Sequence, residues 1–166
     1  LTACQQEKVI EQQIVAKGEQ DVPYLAHLEA VYSMDFTNHR ENLLQSDDFY
    51  VRKDQAKVFY GYSLKEAEIK VIKENGEKIL SVKLPNPRKI STDRKVLSIE
   101  TTHEGYQPID EDGKSINVDE WMNQTLDDAI AKYEEKTIEM TQTVSKQYFE
   151  ALAERFGLKL KLEFLQ

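Results

Sequence analysis

An apolar stripe repeated at helical spacing runs through the last third of the chain. Val118, Met122, Leu126, Ala129 and Tyr133 share one helix face, and Met140, Val144, Tyr148, Leu152 and Phe156 continue it. Asn117 stands where an N-cap is needed, with Glu120 three positions on, and Gly157 supplies a C-terminal stop. A stripe this long must be covered by something, and the rest of the chain offers strands. An unbroken helix over 118–156 would reach about 59 Å, against about 40 Å across a compact domain of this size. The spacing therefore predicts a bend or break at 137–143, where three threonines lower helix propensity. One bent helix and a helical hairpin both satisfy that reading.

Period-two patterns fill the segments before and after the stripe. From Pro23 onward Ala26, Leu28, Ala30, Tyr32, Met34 and Phe36 share one face, while His27, Glu29, Ser33 and Asp35 share the other, as in a half-buried strand. Residues 37–54 are polar and charged and read as a long connection, with one short element at 49–51. Further strands are expected at 55–64, 67–73, 78–84 and 95–102. Asn75-Gly76 between the third and fourth apolar runs signals a tight hairpin, because a type I′ turn needs positive φ at both central residues. Pro85 and Pro87 stop the strand before them, and 103–116 reads as a loop. Leu158, Leu160, Leu162 and Phe164 alternate with charged residues in a terminal strand. The expected fold class is α+β, an antiparallel, meander-like sheet of about five or six strands against a long C-terminal helix or helical hairpin.

The 166 residues suit one domain, over 23–166. Lys and Arg total 22 against 30 Asp and Glu, a net charge of -8, with the basic residues interleaved among acids. No basic stripe is available to neutralise phosphates, so nucleic acid is not an expected partner.

Cys4 is the single cysteine, which excludes internal disulfides and multi-cysteine metal sites. Leu1-Thr2-Ala3-Cys4 has the pattern of an apolar residue and two small residues ahead of a lipid-modified cysteine. On this reading residues 1–3 are a signal-peptide remnant, Cys4 is the lipidation site, and 4–22 form a lipidated N-terminus and tether. Val9, Ile10, Ile14 and Val15 lie at helical spacing within that stretch, so a short helix and a flexible spacer are both open. At least two acyl chains, at about 0.8 kcal/mol per buried CH2, make a stable anchor in the membrane. Localisation is then the bacterial cell envelope, on its extracytoplasmic side. Gln5, not Asp, after the cysteine favours the outer membrane in enteric-type bacteria.

Side chains able to do chemistry are scattered. Asp110-Glu111-Asp112-Gly113-Lys114-Ser115 resembles a calcium loop, but Pro108 takes the first ligand position. The same Gly113-Lys114-Ser115 ends like a phosphate-binding loop, but Pro108 again replaces the required glycine. A surface Asp-Gly turn is the expected structure. His27, His39 and His103 show no metal-ligand spacing and are expected at the surface or a sheet edge. Asp127-Asp128 and Glu134-Glu135 read as a solvated helix face. Tyr60 and Tyr62 share one parity of a strand and could line a groove, although core packing is the stronger expectation. No cofactor or metal site is expected.

The run Phe59-Tyr60-Gly61-Tyr62-Ser63-Leu64, followed by Ala67-Glu68-Ile69-Lys70-Val71 and Leu84-Pro85-Asn86-Pro87-Arg88-Lys89-Ile90, resembles a bacterial family of domains of unknown function, number four-two-three-zero. The final Gly157-Leu158-Lys159-Leu160-Lys161-Leu162-Glu163-Phe164 is similar too, so the likeness covers about residues 24–165. Ser63 departs from the acid that many relatives carry. The resemblance implies membrane attachment and supplies no catalytic residue. The expected function is a lipid-anchored envelope binding or scaffold module with an envelope protein or ligand as partner. The competing expectation is an envelope enzyme of hydrolase-like type using His103, Glu104 and the acidic loop.

Overall fold

The computed structural model describes residues 24–166; Cys4, the remnant 1–3 and the tether 4–22 lie outside the described residues. The chain is α+β, with six strands and one long helix in the order β1 (Tyr24–Arg40), β2 (Asp48–Ser63), β3 (Glu68–Glu74), β4 (Glu77–Leu84), β5 (Arg88–Thr101), α1 (Val118–Arg155) and β6 (Lys159–Phe164). The strands form two three-stranded sheets, ordered β1-β2-β5 and β3-β4-β6. Two compact units divide the chain. The first takes residues up to 30, 59–91 and 135–166, and the second takes 31–58 and 92–134.

In the first unit β3 and β4 pair antiparallel through the expected hairpin, with Glu74 opposite Glu77. Asn75 at φ 52° and Gly76 at φ 81° supply the two positive angles that its turn requires. The terminal strand β6 joins β4 parallel, with Leu80 opposite Leu160, and so departs from an all-antiparallel meander. A parallel pair needs a crossover, and β5 and α1 intervene between β4 and β6 in the chain. Tyr62, Leu80, Val82, Leu84, Phe149, Leu152, Ala153 and Leu158 form this unit's core.

The second unit packs Met34, Phe36 and Ala56 from strands against Val118, Met122 and Leu126 of α1. Asn117 caps the helix, its Oδ1 accepting the Glu120 N–H at 3.1 Å. At the far end, in the first unit, the Gly157 N–H reaches the Glu154 carbonyl at 3.0 Å and the Leu158 N–H reaches Ala153 at 2.9 Å. Gly157 has φ 63°, so the helix closes in a Schellman motif at the expected residue.

Two expectations about strand boundaries are corrected. Residues 37–54 are mostly strand, because β1 runs to Arg40 and β2 starts at Asp48, leaving only 41–47 between them. The even-numbered residues 52–62 of β2 are all buried, but Arg52 and Asp54 are charged and hid the alternation. Likewise β5 begins at Arg88, right after Pro87, and is exposed along most of its length, so it carries no clear period. Of the two readings left open for the helical region, the single helix is the one observed: α1 has 38 residues, with 137–143 inside it. Its hydroxyls are satisfied locally, Thr141 Oγ1 donating to the Thr137 carbonyl at 2.7 Å and Thr143 Oγ1 to Glu139 at 3.0 Å. Each unit's core takes its own stretch of the helix. The buried face also shifts: Tyr133 and Met140 are exposed, and Thr137, Thr141 and Ser145 are buried instead.

Candidate functional site

Strand β2 delivers Arg52 and Asp54 to the interior of the second unit, two residues apart and therefore on the same face. The pairing is a two-point fork: Arg52 Nε donates to Asp54 Oδ1 at 2.9 Å and Nη2 donates to Oδ2 at 3.0 Å. Arg94 of β5 adds its Nε to Asp54 Oδ2 at 3.0 Å, and also donates to the Asn123 Oδ1. Arg52 Nη1 reaches Asp119 Oδ1, in the first turn of α1, at 2.7 Å. Two guanidinium groups and two carboxylates thus balance in charge around a side chain, Asp54, with 0% exposure. The hydrogen bond that Arg52 donates to Asp54 is the largest of the causes holding its guanidinium protonated well above its ordinary range. Beside this cluster a cavity of about 310 Å³ is lined by Tyr50, Arg52, Gln107, Pro108, Asn117 and Asp119, among others. Asp119, with Glu120, is acidic in the first turn of the helix, where the macrodipole favours negative charge.

A larger cleft, about 580 Å³, opens between residues 37–41 and the 109–113 loop in the same unit. His39 lines it and has its Nε2 3.4 Å from Asp47, with both side chains about half exposed. The acidic loop is a turn closed on itself: the Asp110 Oδ1 accepts the N–H groups of Asp112 at 2.9 Å and Lys114 at 2.8 Å. Ile109 and Ser115 form a bridge across it. Among the described residues no cluster of three or more His, Cys, Asp or Glu is placed to hold a metal ion. His103 is exposed, with Nε2 3.6 Å from Asp48 and its ring in a T-shaped contact with Tyr106. Glu104 is exposed beside it and meets His103 through its backbone carbonyl, at 3.4 Å from Nδ1.

The remaining histidine lies on β1, an edge strand of its sheet. His27 is half-buried in the first unit, packed against Tyr62, Tyr148 and Phe149, with Nδ1 2.6 Å from the Ser145 Oγ. Tyr62 reaches the same Oγ at 2.8 Å, and Ser145 donates its own proton to the Thr141 carbonyl at 2.6 Å. A hydroxyl has one proton and two lone pairs, so Tyr62 O–H and His27 Nδ1–H are the donors and Ser145 is saturated. Desolvation on burial pushes the Tyr62 phenol up to about 12. Tyr60 and Tyr62 are both buried, the packing role expected of them.

The connection 41–47 exposes two apolar side chains completely, Leu43 at 104% and Leu44 at 97% of their free area. It is a closed loop, because Asn42 binds across it: its N–H to Asp47 Oδ1 at 3.2 Å, and its Nδ2 to the Ser46 carbonyl at 3.2 Å and to Asp48 Oδ2 at 3.1 Å. Polar side chains face into the loop and leucines face out. Sequence reasoning treated this stretch as plain connection and missed the pair. Adjacent leucines flanked by Asn42 and Gln45-Ser46, outside any amphipathic period, were the available signal. Arg52, Asp54, Arg94 and Ser145 were missed as well, since nothing in spacing marks a charged or hydroxyl residue as buried. Compared with family models, curated proteins and solved structures, the chain finds no match.

Proposed function

We propose that this is a lipid-anchored module of the bacterial cell envelope, tethered through acyl chains on Cys4, that binds an envelope protein at the 41–47 loop and performs no chemistry itself. The exposed Leu43–Leu44 pair carries the binding part of this reading. Covering both leucines would contribute roughly 3 to 6 kcal/mol, at about 1.5 to 3 kcal/mol for each large apolar side chain buried. The loop's own hydrogen bonds hold them outward before any partner arrives, which lowers the ordering cost of binding. Glu41, Asp47 and Asp48 lie around them, so the fitting partner has an apolar recess with a basic rim. The address rests on Leu1-Thr2-Ala3-Cys4 and on the likeness to family four-two-three-zero.

The test is a photocrosslinking residue at position 44 of the full-length protein in native membranes, with position 139 on an exposed part of α1 as control. A protein adduct of one defined mass at 44, absent at 139 and lost when Leu43 is changed to Ser, is the expected result. Equal labelling at both positions, or an adduct to lipid alone at 44, contradicts it.

A further inference from the structure

We propose that the 41–47 loop is gated by pH, with His39 and His103 gripping its closing aspartates from two sides when they are protonated. The inference names the regulation of the binding loop described above and rests on that reading for its consequence. In the sheet order β1-β2-β5, β2 lies between the other two strands. His39 comes from the end of β1, and His103 follows β5, where the Thr102 N–H bonds the Phe49 carbonyl of β2 at 3.1 Å. Asp47 and Asp48, where the loop enters β2, divide their oxygens in the same way. Asp47 accepts the Asn42 N–H on Oδ1 at 3.2 Å and turns Oδ2 to His39 Nε2 at 3.4 Å. Asp48 accepts from Asn42 Nδ2 on Oδ2 at 3.1 Å and turns Oδ1 to His103 Nε2 at 3.6 Å. Neither histidine competes with Asn42 for an oxygen, so each one can hold the carboxylate on which Asn42 closes the loop.

The contacts of His103 suit the charged ring. Its Nδ1 meets the Glu104 carbonyl at 3.4 Å, and a carbonyl only accepts. In a neutral ring with its proton on Nδ1, Nε2 would turn a lone pair toward the Asp48 carboxylate; a second proton replaces that repulsion with an ion pair. The other groups around His103 are Glu104 and the Tyr106 ring. Around His39 stand its neighbours Arg40 and Glu41 and, lining the same cleft, Asp110 and Glu111. Carboxylates thus outnumber cations beside both rings. Histidine ordinarily titrates near about pH 6.5 and aspartate near about pH 4, so between about pH 5 and pH 8 the rings switch while the carboxylates stay charged. The grip is present below the histidine range and is lost as pH rises through it. One half-exposed ion pair shifts an equilibrium by roughly 1.4- to fivefold, so two pairs on one loop shift it by roughly two- to twenty-five-fold.

Steady-state nitrogen–proton NOEs of the Asn42, Leu43 and Leu44 amides, measured on the full chain at about pH 5.5 and about pH 8, test the proposal. The expected result is a rigid loop at the lower pH and smaller NOEs at the higher, while Asn75 and Gly76 in the β3–β4 turn stay the same. His39→Gln together with His103→Gln should hold the loop at pH 5.5 near the values that the unaltered chain shows at pH 8, and each single change should remove part of the response. The two side chains are 52% and 60% exposed, so these variants keep the fold, which an unchanged far-UV circular dichroism spectrum checks. Equal NOEs at the two pH values overturn the proposal, as does a pH response that survives in the double variant. The measurement involves no partner, so its failure is distinct from a failure of the crosslinking at position 44.

Discussion

Ser145 has one proton to give and two lone pairs to offer, and its surroundings use all three. That saturation explains how a serine sits with no exposure inside a helix face that otherwise buries Phe149 and Leu152. It also fixes a pH response. The phenol of Tyr62 is raised by burial to about 12 and that of Tyr148 is raised by burial too, so the folded state keeps protons that the unfolded chain releases near pH 10. Between these values the unfolded chain binds fewer protons, and stability falls as pH rises. Urea midpoints should be level from about pH 8 to about pH 9.5 and drop above about pH 10, and Tyr62→Phe should remove part of that drop while Tyr148 supplies the rest. Asp54 poses the opposite case, a buried charge whose value lies in its partners. Asp54→Ala leaves Arg52 buried without its two-point partner and frees Arg94, and should cost about 3 to 5 kcal/mol in urea unfolding. Neither residue was legible in the sequence, because a strand or helix residue that is polar reads as solvent-facing until its partner, distant along the chain, is known.

Elements were legible where local chemistry decides them. The Asn75-Gly76 turn, the Asn117 cap, the Gly157 stop and the alternation of Leu158 to Phe164 each rest on backbone geometry or a period visible within a few residues. Boundaries failed where partners distant along the chain decide. The start of β2 is masked by its inward Arg52–Asp54 pair, the length of β5 by its exposure on both faces, and the true stripe of α1 by hydroxyls that bond back to its own carbonyls. Parallel pairing of β6 with β4 could not be read from alternation, which is the same for either direction. The helix stop gives a direct test at this scale. Gly157→Ala forces an L side chain to φ 63° and should cost about 1 to 2 kcal/mol, measured by chemical denaturation, and Gly157→Asn should cost less.

At the scale of the whole molecule, the α+β class and the long C-terminal helix follow from hydrophobic periodicity, while the division into two compact units does not. Each unit has an apolar core of its own, and both draw on residues far apart in the chain, which no window of sequence reports. The candidate site was illegible for the related reason that exposure, not identity, distinguishes Leu43 and Leu44 from any other leucine. The proposed address is the reverse: it rests on four consecutive residues and on no feature of the fold. No helix among the described residues is long and apolar enough to cross a membrane; in the proposed function, attachment is through acyl chains on Cys4. The most direct measurement is mass spectrometry of the protein's N-terminal peptide, isolated from the membranes of its native host. A peptide that begins at Cys4 and carries a diacylglyceryl mass on the thiol is the predicted result; a peptide that extends upstream of Cys4 with an unmodified thiol would contradict it.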